Sequence, residues 1–441
     1  MNQAALTYPR ILSESTKSCF LSYLYVFFLG LLIPLGFAPF HFPGVAILSM
    51  ALLYLKMSDC ETRQAPLLGF VFGLGYFGLG VSWVIVSIHD YGNLNYFFAG
   101  LATLAFIMYL SCFPALASTT FKGLSTSNKL LNRLAFSSIW CLSEYLRSTL
   151  FTGFPWVLIG TSQIDTPLKY LFPIVGVYGV SFICLFCSTL VAAIFKEKVT
   201  KSFLYVIPLV MLLLLPNLLK NQLWTKAEKK PISVGIIQAN LAMRDKWDEQ
   251  LFWTLLKRYE EGIMSLLGKQ ELIILPESAI PLPASYLNDY LQSLGRKALK
   301  TNSSIILGVL QPSDDKESHY FNQIISLGHA NGTYIKRHLV PFGEYIPAPF
   351  EAINKLLNLP EPNIMPGVND QEPIIISGHA VASLICYEIA YPALLRSQMP
   401  KGEWIISVSD NGWFGRSFAS YQQLQMAQML SLLTARYQLV V

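Results

Sequence analysis

The chain has 441 residues, 53% of them hydrophobic and only 13% charged, about half the charge of an ordinary soluble domain. Its 32 Lys and Arg against 27 Asp and Glu give a formal net charge of +5, with no basic block of the kind that forms a nucleic-acid face. So apolar a composition excludes a disordered chain, and the length allows two or three domains.

The long apolar runs lie in the first half. Candidate membrane spans fall at about Cys19–Phe37, Gly44–Leu55, Leu67–Ile88, Tyr96–Ala117, Leu134–Leu150, Leu171–Phe195 and Phe203–Leu219. Most approach the roughly 20 residues needed to cross about 30 Å of hydrocarbon. The second is short, and the fifth carries Glu144 and Arg147. Lys and Arg cluster in alternate connections: Arg10 and Lys17, then Lys56 and Arg63, then Lys122, Lys129 and Arg133, then Lys196, Lys198 and Lys201. The intervening loops Ala38–Pro43 and His89–Asn95 carry neither, and the fifth loop has only Lys169, or Arg147 too if that span ends early. Cytoplasmic loops hold the positive excess, so the N-terminus is expected inside and the residues after Leu219 outside. The first span is too long for a cleaved signal peptide and lacks a small-residue cleavage site.

The composition changes at the polar linker Lys220–Pro231. This divides the chain into a transmembrane helical domain, 1–222, of about seven spans and an outer domain, 223–441. Strands are expected at Ser233–Gln238, Glu271–Leu275, Ser304–Leu310, Asn322–Leu327, Thr333–Arg337, Pro373–Ser377, Val381–Cys386 and Trp404–Val408. Helices are expected at Asp245–Leu267, through Tyr286–Leu299, and at Ala419–Ala435. Asn331-Gly332 suits a tight hairpin whose two central residues take positive φ. Strands interleaved with helices indicate an α/β sandwich.

Seven cysteines are present, and only Cys386 lies beyond the linker. That excludes a disulfide framework within the outer domain and a Cys-rich zinc site there. Cys184 and Cys187 have redox-like spacing but sit inside an apolar span, where packing is the simpler reading. Cys386 follows a strand-like run, and ligand sites gather at the carboxyl ends of strands in open α/β sheets. A cysteine nucleophile needs a base and a stabiliser of the developing oxyanion. Glu277 ends the run Ile273–Pro276, and Lys336 follows the expected hairpin, whereas His338 and His379 are not adjacent to the thiol in sequence. A carboxylate can take the thiol proton, and an ammonium can steady both thiolate and oxyanion. Each charge alone reads more simply as solvated surface, and spacing leaves open whether the three meet.

The motifs carry a resemblance that covers most of the chain. They are Gly153-Phe154-Pro155-Trp156, Gln238-Ala239-Asn240 with Lys246-Trp247, Leu275 through Pro281, Lys336 through Pro347, Cys386-Tyr387-Glu388 and Asn411 through Gly415. The outer domain resembles the nitrilase superfamily, with its α-β-β-α sandwich. The whole chain resembles the apolipoprotein N-acyltransferase family of the bacterial inner membrane. The resemblance implies Glu277 as general base, Lys336 as oxyanion-stabilising cation and Cys386 as nucleophile. Glu344, Tyr387 and Glu388 would support them, with the Tyr387 N–H as an oxyanion donor. Trp247, Trp413 and Phe414 would lie near the entrance, and Trp156 would contact substrate or anchor at the interface. The implied reaction is ping-pong acyl transfer from a phospholipid, through a Cys thioester, to the N-terminal amine of a diacylglyceryl-cysteine apolipoprotein. It needs no metal or organic cofactor and no nucleic acid, and the outer domain would face the periplasm. A nitrilase-like amidase and an inactive scaffold are the rival readings, and the seven spans favour acyl transfer. Two features depart from the family pattern. Leu275 stands where Trp is usual, and the chain stops at Tyr437–Val441 where family members continue with further strands and a last span, so an incomplete sheet with an exposed edge is expected.

Overall fold

The computed structural model describes residues 14–92, 94–228, 230–240, 246, 248, 250–313, 316–351 and 362–441. Every run expected to be a span is helical: α1 Glu14–Leu32, α2 Pro43–Asp59, α3 Ala65–Gly80 with α4 Val84–Tyr91, α5 Tyr96–Leu124, α6 Lys129–Arg147, α7 Phe172–Lys196 and α8 Val199–Leu214. Among the described residues three helical stretches are individually long and apolar enough to cross a membrane: Tyr96–Leu124, Pro167–Lys196 and Val199–Leu219. The bent pair Thr62–Gly80 and Val84–Tyr91 makes a fourth. The single span expected at Leu67–Ile88 is thus broken, with a 58° bend. The break falls at Val81–Trp83, where Val81 and Trp83 turn into the protein core.

Close helix approach in this half depends on missing side chains. A Cβ on Gly75 of α3 would sit 2.1 Å from the Phe27 carbonyl of α1, and one on Gly30 would sit 2.1 Å from the Phe72 carbonyl. Small residues that let backbones touch are the usual adhesive between helices in lipid, where hydrophobic burial gives little drive. The charges of α6 are likewise explained by their surroundings. Arg147 donates from Nη1 to the carbonyls of Phe154 and Trp156 at 2.6 and 2.8 Å. Glu144 accepts from the Ile159 amide at 2.8 Å. Buried non-helical backbone needs hydrogen-bond partners, and α6 supplies them.

The outer half is a sandwich of two mixed sheets. The first runs β1 (Val234–Ile236), β2 (Leu272–Ile274), β3 (Ser304–Ser313), β4 (Lys316–Gly328), β5 (Thr333–Ile335), with β6 (Ile364–Met365) also paired to β4. The second runs β10 (Gln438–Val440), β9 (Trp404–Val408), β8 (His379–Ile385), β7 (Ile374–Ile376). The sheets meet through Ile274, Ile306, Ile324 and Tyr334 on one side and Ile376, Val381, Ile385 and Ile406 on the other. Helices α9 (Phe252–Leu266) and α10 (Asn288–Lys300) cover the first sheet's outer face. The second sheet packs on α11 (Pro392–Gln398) and α12 (Ala419–Thr434), which in turn meet α7 of the helical half. The terminal run Tyr437–Val441 does form a strand, parallel to β9 at the sheet edge.

Two local expectations are corrected. The helix expected from Asp245 begins at Phe252, and residues 241–245 lie outside the described set. The Asn331-Gly332 hairpin is not a two-residue turn: β4 ends at Gly328 and β5 starts at Thr333. Positive φ falls on Gly328 and Gly332 but not on Asn331. Asn331 instead exchanges backbone hydrogen bonds of 2.9 and 2.8 Å with Ile375, stitching the first sheet's turn to the second sheet. Substituting Gly75→Leu is expected to force α1 and α3 apart and destabilise the protein by about 1–3 kcal/mol, measured as a lowered unfolding midpoint in detergent. An unchanged midpoint would contradict the close packing.

Candidate active site

Three strand ends converge on one point of the sandwich. Past β2, Pro276 and Glu277 run against β3, where Gly308 leaves room: a Cβ there would lie 2.7 Å from the Glu277 Cα. Lys336 follows β5, its amide bonded to the Asn322 carbonyl of β4 at 2.9 Å. Cys386 is the first residue after β8 and takes φ +52°, a left-handed conformation that an L side chain adopts at a cost of about 1–2 kcal/mol.

Lys336 Nζ lies 2.8 Å from Glu344 Oε1 and 3.4 Å from Glu277 Oε1. The same Glu277 oxygen accepts from Asn322 Nδ2 at 2.8 Å, and Glu277 Oε2 accepts from the Asp410 amide at 2.9 Å. The Cys386 thiol lies beside the Glu277 carboxylate and feels its charge. Burial pushes that thiol well above its ordinary pKa, with the Glu277 charge adding to the rise and Lys336 opposing it. A thiol kept protonated beside a carboxylate is arranged to give up its proton only as it attacks. For Lys336, burial acts to lower the pKa, but Glu344 and Glu277 together outweigh it and hold the ammonium above its usual range.

Glu388 fixes the strained turn. It is fully buried and accepts from the amides of Ile385, Arg337 and His338 at 2.8, 2.7 and 3.1 Å, and from the Tyr334 hydroxyl. One carboxylate thereby ties the cysteine turn to the lysine loop. Burial raises its pKa, and the donated amides counter that rise. Glu344 is held in turn by the Val340 amide at 2.8 Å.

The remaining expected residues separate into distinct surroundings. Tyr387 is buried, its hydroxyl accepting from Tyr391, whose own hydroxyl also reaches the Gly153 carbonyl at 2.9 Å. Trp413 is 39% exposed, with its ring 4.9 Å from Tyr91 of α4. Phe414 packs on Trp83 at 4.9 Å. Trp156 is only 1% exposed; its indole donates to Gln422 of α12 at 2.5 Å. It therefore sits neither at a lipid interface nor on an open surface, but in the joint between the two halves. Trp247 lies outside the described residues.

Asn322 and Asp410 are site residues that no sequence motif singles out. Each had a signal: Asn322 interrupts an apolar strand, and Asp410 closely follows the carboxyl end of β9, the same kind of position that drew attention to the other three. Neither His338 nor His379 joins the triad. His338 stacks on Tyr391 at 3.8 Å, and its Nε2 is buried without a hydrogen-bond partner.

Residues 29–190 match the family model described as the apolipoprotein N-acyltransferase N-terminal domain, and residues 233–441 match that of the carbon-nitrogen hydrolases. A curated relative from Coxiella burnetii, an apolipoprotein N-acyltransferase, is 36% identical over 92% of this chain and 85% of its own. Proteins of the same description from Pseudomonas syringae and Nitrosomonas europaea are each 35% identical, over 92% and 94% of this chain and 82% and 83% of theirs.

Burial, then the Lys336 charge, lowers the His338 pKa to about 4. The unfolded chain, with His near 6.5, binds this proton more readily. Stability is therefore unaffected above about pH 6.5 and falls as the pH drops from there towards 4, by up to about 3 kcal/mol. His338→Phe, which keeps the stack, is expected to flatten that part of the stability–pH curve, read by urea unfolding between pH 4 and 7. Identical curves for the two proteins would refute the assignment.

Proposed function

This chain belongs to the apolipoprotein N-acyltransferase family, and from that membership we propose how its own residues carry the acyl chain. It is a membrane-associated acyltransferase of lipoprotein N-acylation, with a lipid donor and a lipoprotein acceptor. The donor is a phospholipid and the acceptor a diacylglyceryl-cysteine apolipoprotein. The helical half, residues 1–222, crosses the bacterial inner membrane about seven times with its N-terminus in the cytoplasm. The outer half, residues 223–441, faces the periplasm.

In the first half-reaction Glu277 takes the Cys386 proton as the sulfur attacks the phospholipid ester carbonyl. Lys336 and the Tyr387 amide face the developing oxyanion. Collapse breaks the ester C–O bond, the leaving glycerol oxygen takes the proton back from Glu277, and lysophospholipid departs from a Cys386 thioester. In the second, the acceptor α-amine attacks that thioester. The C–S bond breaks, Glu277 removes the surplus proton from nitrogen, and the thiol is restored. Glu344 keeps Lys336 charged throughout, and Glu388 holds the cysteine turn. Trp413 and Phe414 border the lipid entry. Trp156 braces the joint beneath it. Seating the site against the helical half confines both lipid substrates to lateral diffusion and excludes competing water.

The observation that carries this reading is the meeting of thiol, carboxylate and ammonium at one buried point, on a turn that itself packs on the helical half. The test is rescue of a Gram-negative cell depleted of its own lipoprotein acyltransferase. The intact chain is expected to restore growth and Cys386→Ser to abolish it, since a hydroxyl beside a carboxylate is a far poorer nucleophile. Lys336→Ala is expected to lower kcat at least a hundredfold while leaving phospholipid binding largely intact. Rescue by Cys386→Ser at the parental level would overturn the nucleophile assignment.

A further inference from the structure

Beside the triad lies a second buried ion pair to which the reaction above gives no part. Lys246 and Asp410 are ion-paired, with side chains only 9% and 17% exposed. Lys246 also donates to the backbone carbonyl of Glu277 at 3.2 Å. Asp410 touches the base from the other side, its amide donating to Glu277 Oε2 at 2.9 Å. One ammonium thus clamps the two segments that define where the Glu277 carboxylate points. Asp410 Oδ1 in turn accepts from the Gly412 amide at 3.0 Å. The loop it anchors is held on α4, where Tyr91 donates to the Gly412 carbonyl and Ser87 to the Trp413 carbonyl, both at 2.8 Å.

We propose that Lys246 and Asp410 are a positioning pair for the general base, coupling the orientation and charge of Glu277 to the loop seated on the helical half. The inference rests on the acyl-transfer reading only in naming Glu277 a base. The groups facing Glu277 are Lys336 after β5, Glu344 on the following loop, Cys386 after β8, and Lys246 and Asp410 themselves. Tyr259 of α9 faces Asp410 from outside. In this set the pair is neutral as a unit, so it orients Glu277 without adding net charge. Removing either member alone leaves a buried charge uncompensated next to the base, and the sign of the disturbance depends on which member is lost.

That sign supplies a readout that a merely structural role would not move. The pH dependence of Cys386 alkylation by iodoacetamide is measured in the full-length protein in detergent, by mass spectrometry of the Cys386 peptide. Lys246→Met is expected to move the midpoint up by about one pH unit, because an unpaired Asp410 carboxylate opposes further negative charge. Asp410→Asn is expected to move it down by a similar amount. The double variant should return to within a few tenths of a unit of the parent, as interacting sites in a cycle do, and Lys246→Arg should match the parent. Shifts of the same sign, no shift, or a double variant no nearer the parent than either single would each overturn the pairing. Should Lys246→Met fail to fold, a parental profile in Asp410→Asn alone would overturn it as well. Turnover with phospholipid is followed in parallel, and about a tenfold fall in kcat with KM unchanged is expected for Lys246→Met. A parent protein that accepts no acyl chain but gives opposed, cancelling alkylation shifts would sink the acyl-transfer reading and leave the positioning pair standing.

Discussion

Lys336 is 1% exposed, and an ammonium removed so far from water costs several kcal/mol unless charge and hydrogen bonds replace the solvent. Glu344 and Glu277 are those replacements, and meeting the requirement fixes the site. Glu344 is held by the Val340 amide and Glu277 by Asn322 and the Asp410 amide, so neither carboxylate can turn away without leaving the cation unpaired. The thiol beside them is raised in pKa by burial and by Glu277. In the proposed reaction the proton it gives up has Glu277 beside it as acceptor. Preorganised charge in a dry site is the usual source of large rate effects, because nothing has to reorganise when the oxyanion forms.

The second constraint is the joint between the halves. Trp83, Trp156 and Phe414 pack together, Gln422 of α12 receives the Trp156 N–H, and Tyr391 reaches the Gly153 carbonyl. Gly153 is itself placed by a loop whose carbonyls Arg147 binds. The cysteine turn is therefore connected through Tyr387 and Tyr391 to a loop that a membrane-half arginine holds. The 411–415 loop is connected separately to α4. Two of the segments around the triad thus rest directly on helices, which gives a physical reason for a catalytic sandwich to be built on a membrane base.

Much of this is legible in the amino-acid order itself. Runs of apolar residues mark each helix of the first half, and period and turn chemistry place most strands to within a few residues, with Trp404–Val408 matching its strand at both ends, although β4 begins at Lys316, well ahead of the expected Asn322, and the short β6 is not foreseen. Glu277, Lys336 and Cys386 stand out because each follows a strand. What the residue order leaves hidden is whatever depends on pairing across distance. The bend in the third expected span comes from Trp83 and Val81 entering a core made partly by the outer half. The Asn331-Gly332 turn is widened because Asn331 bonds to Ile375 in the other sheet. Trp156 looks like an interfacial residue until Gln422, far away in sequence, closes over it. Asn322 and Asp410 carry ordinary side chains whose importance lies wholly in the carboxylate they meet.

In the proposed reaction the acyl group passes through Cys386, the one thiol in the outer half. The most direct measurement incubates the full-length protein with a phospholipid carrying an isotope-labelled acyl chain, in the absence of acceptor, and maps the label by peptide mass spectrometry. Labelled acyl is expected on the Cys386 peptide, released by neutral hydroxylamine and transferred to a lipoprotein amine when acceptor is added. Label on any other residue, or acceptor acylation with no labelled Cys386 at any time, would contradict it.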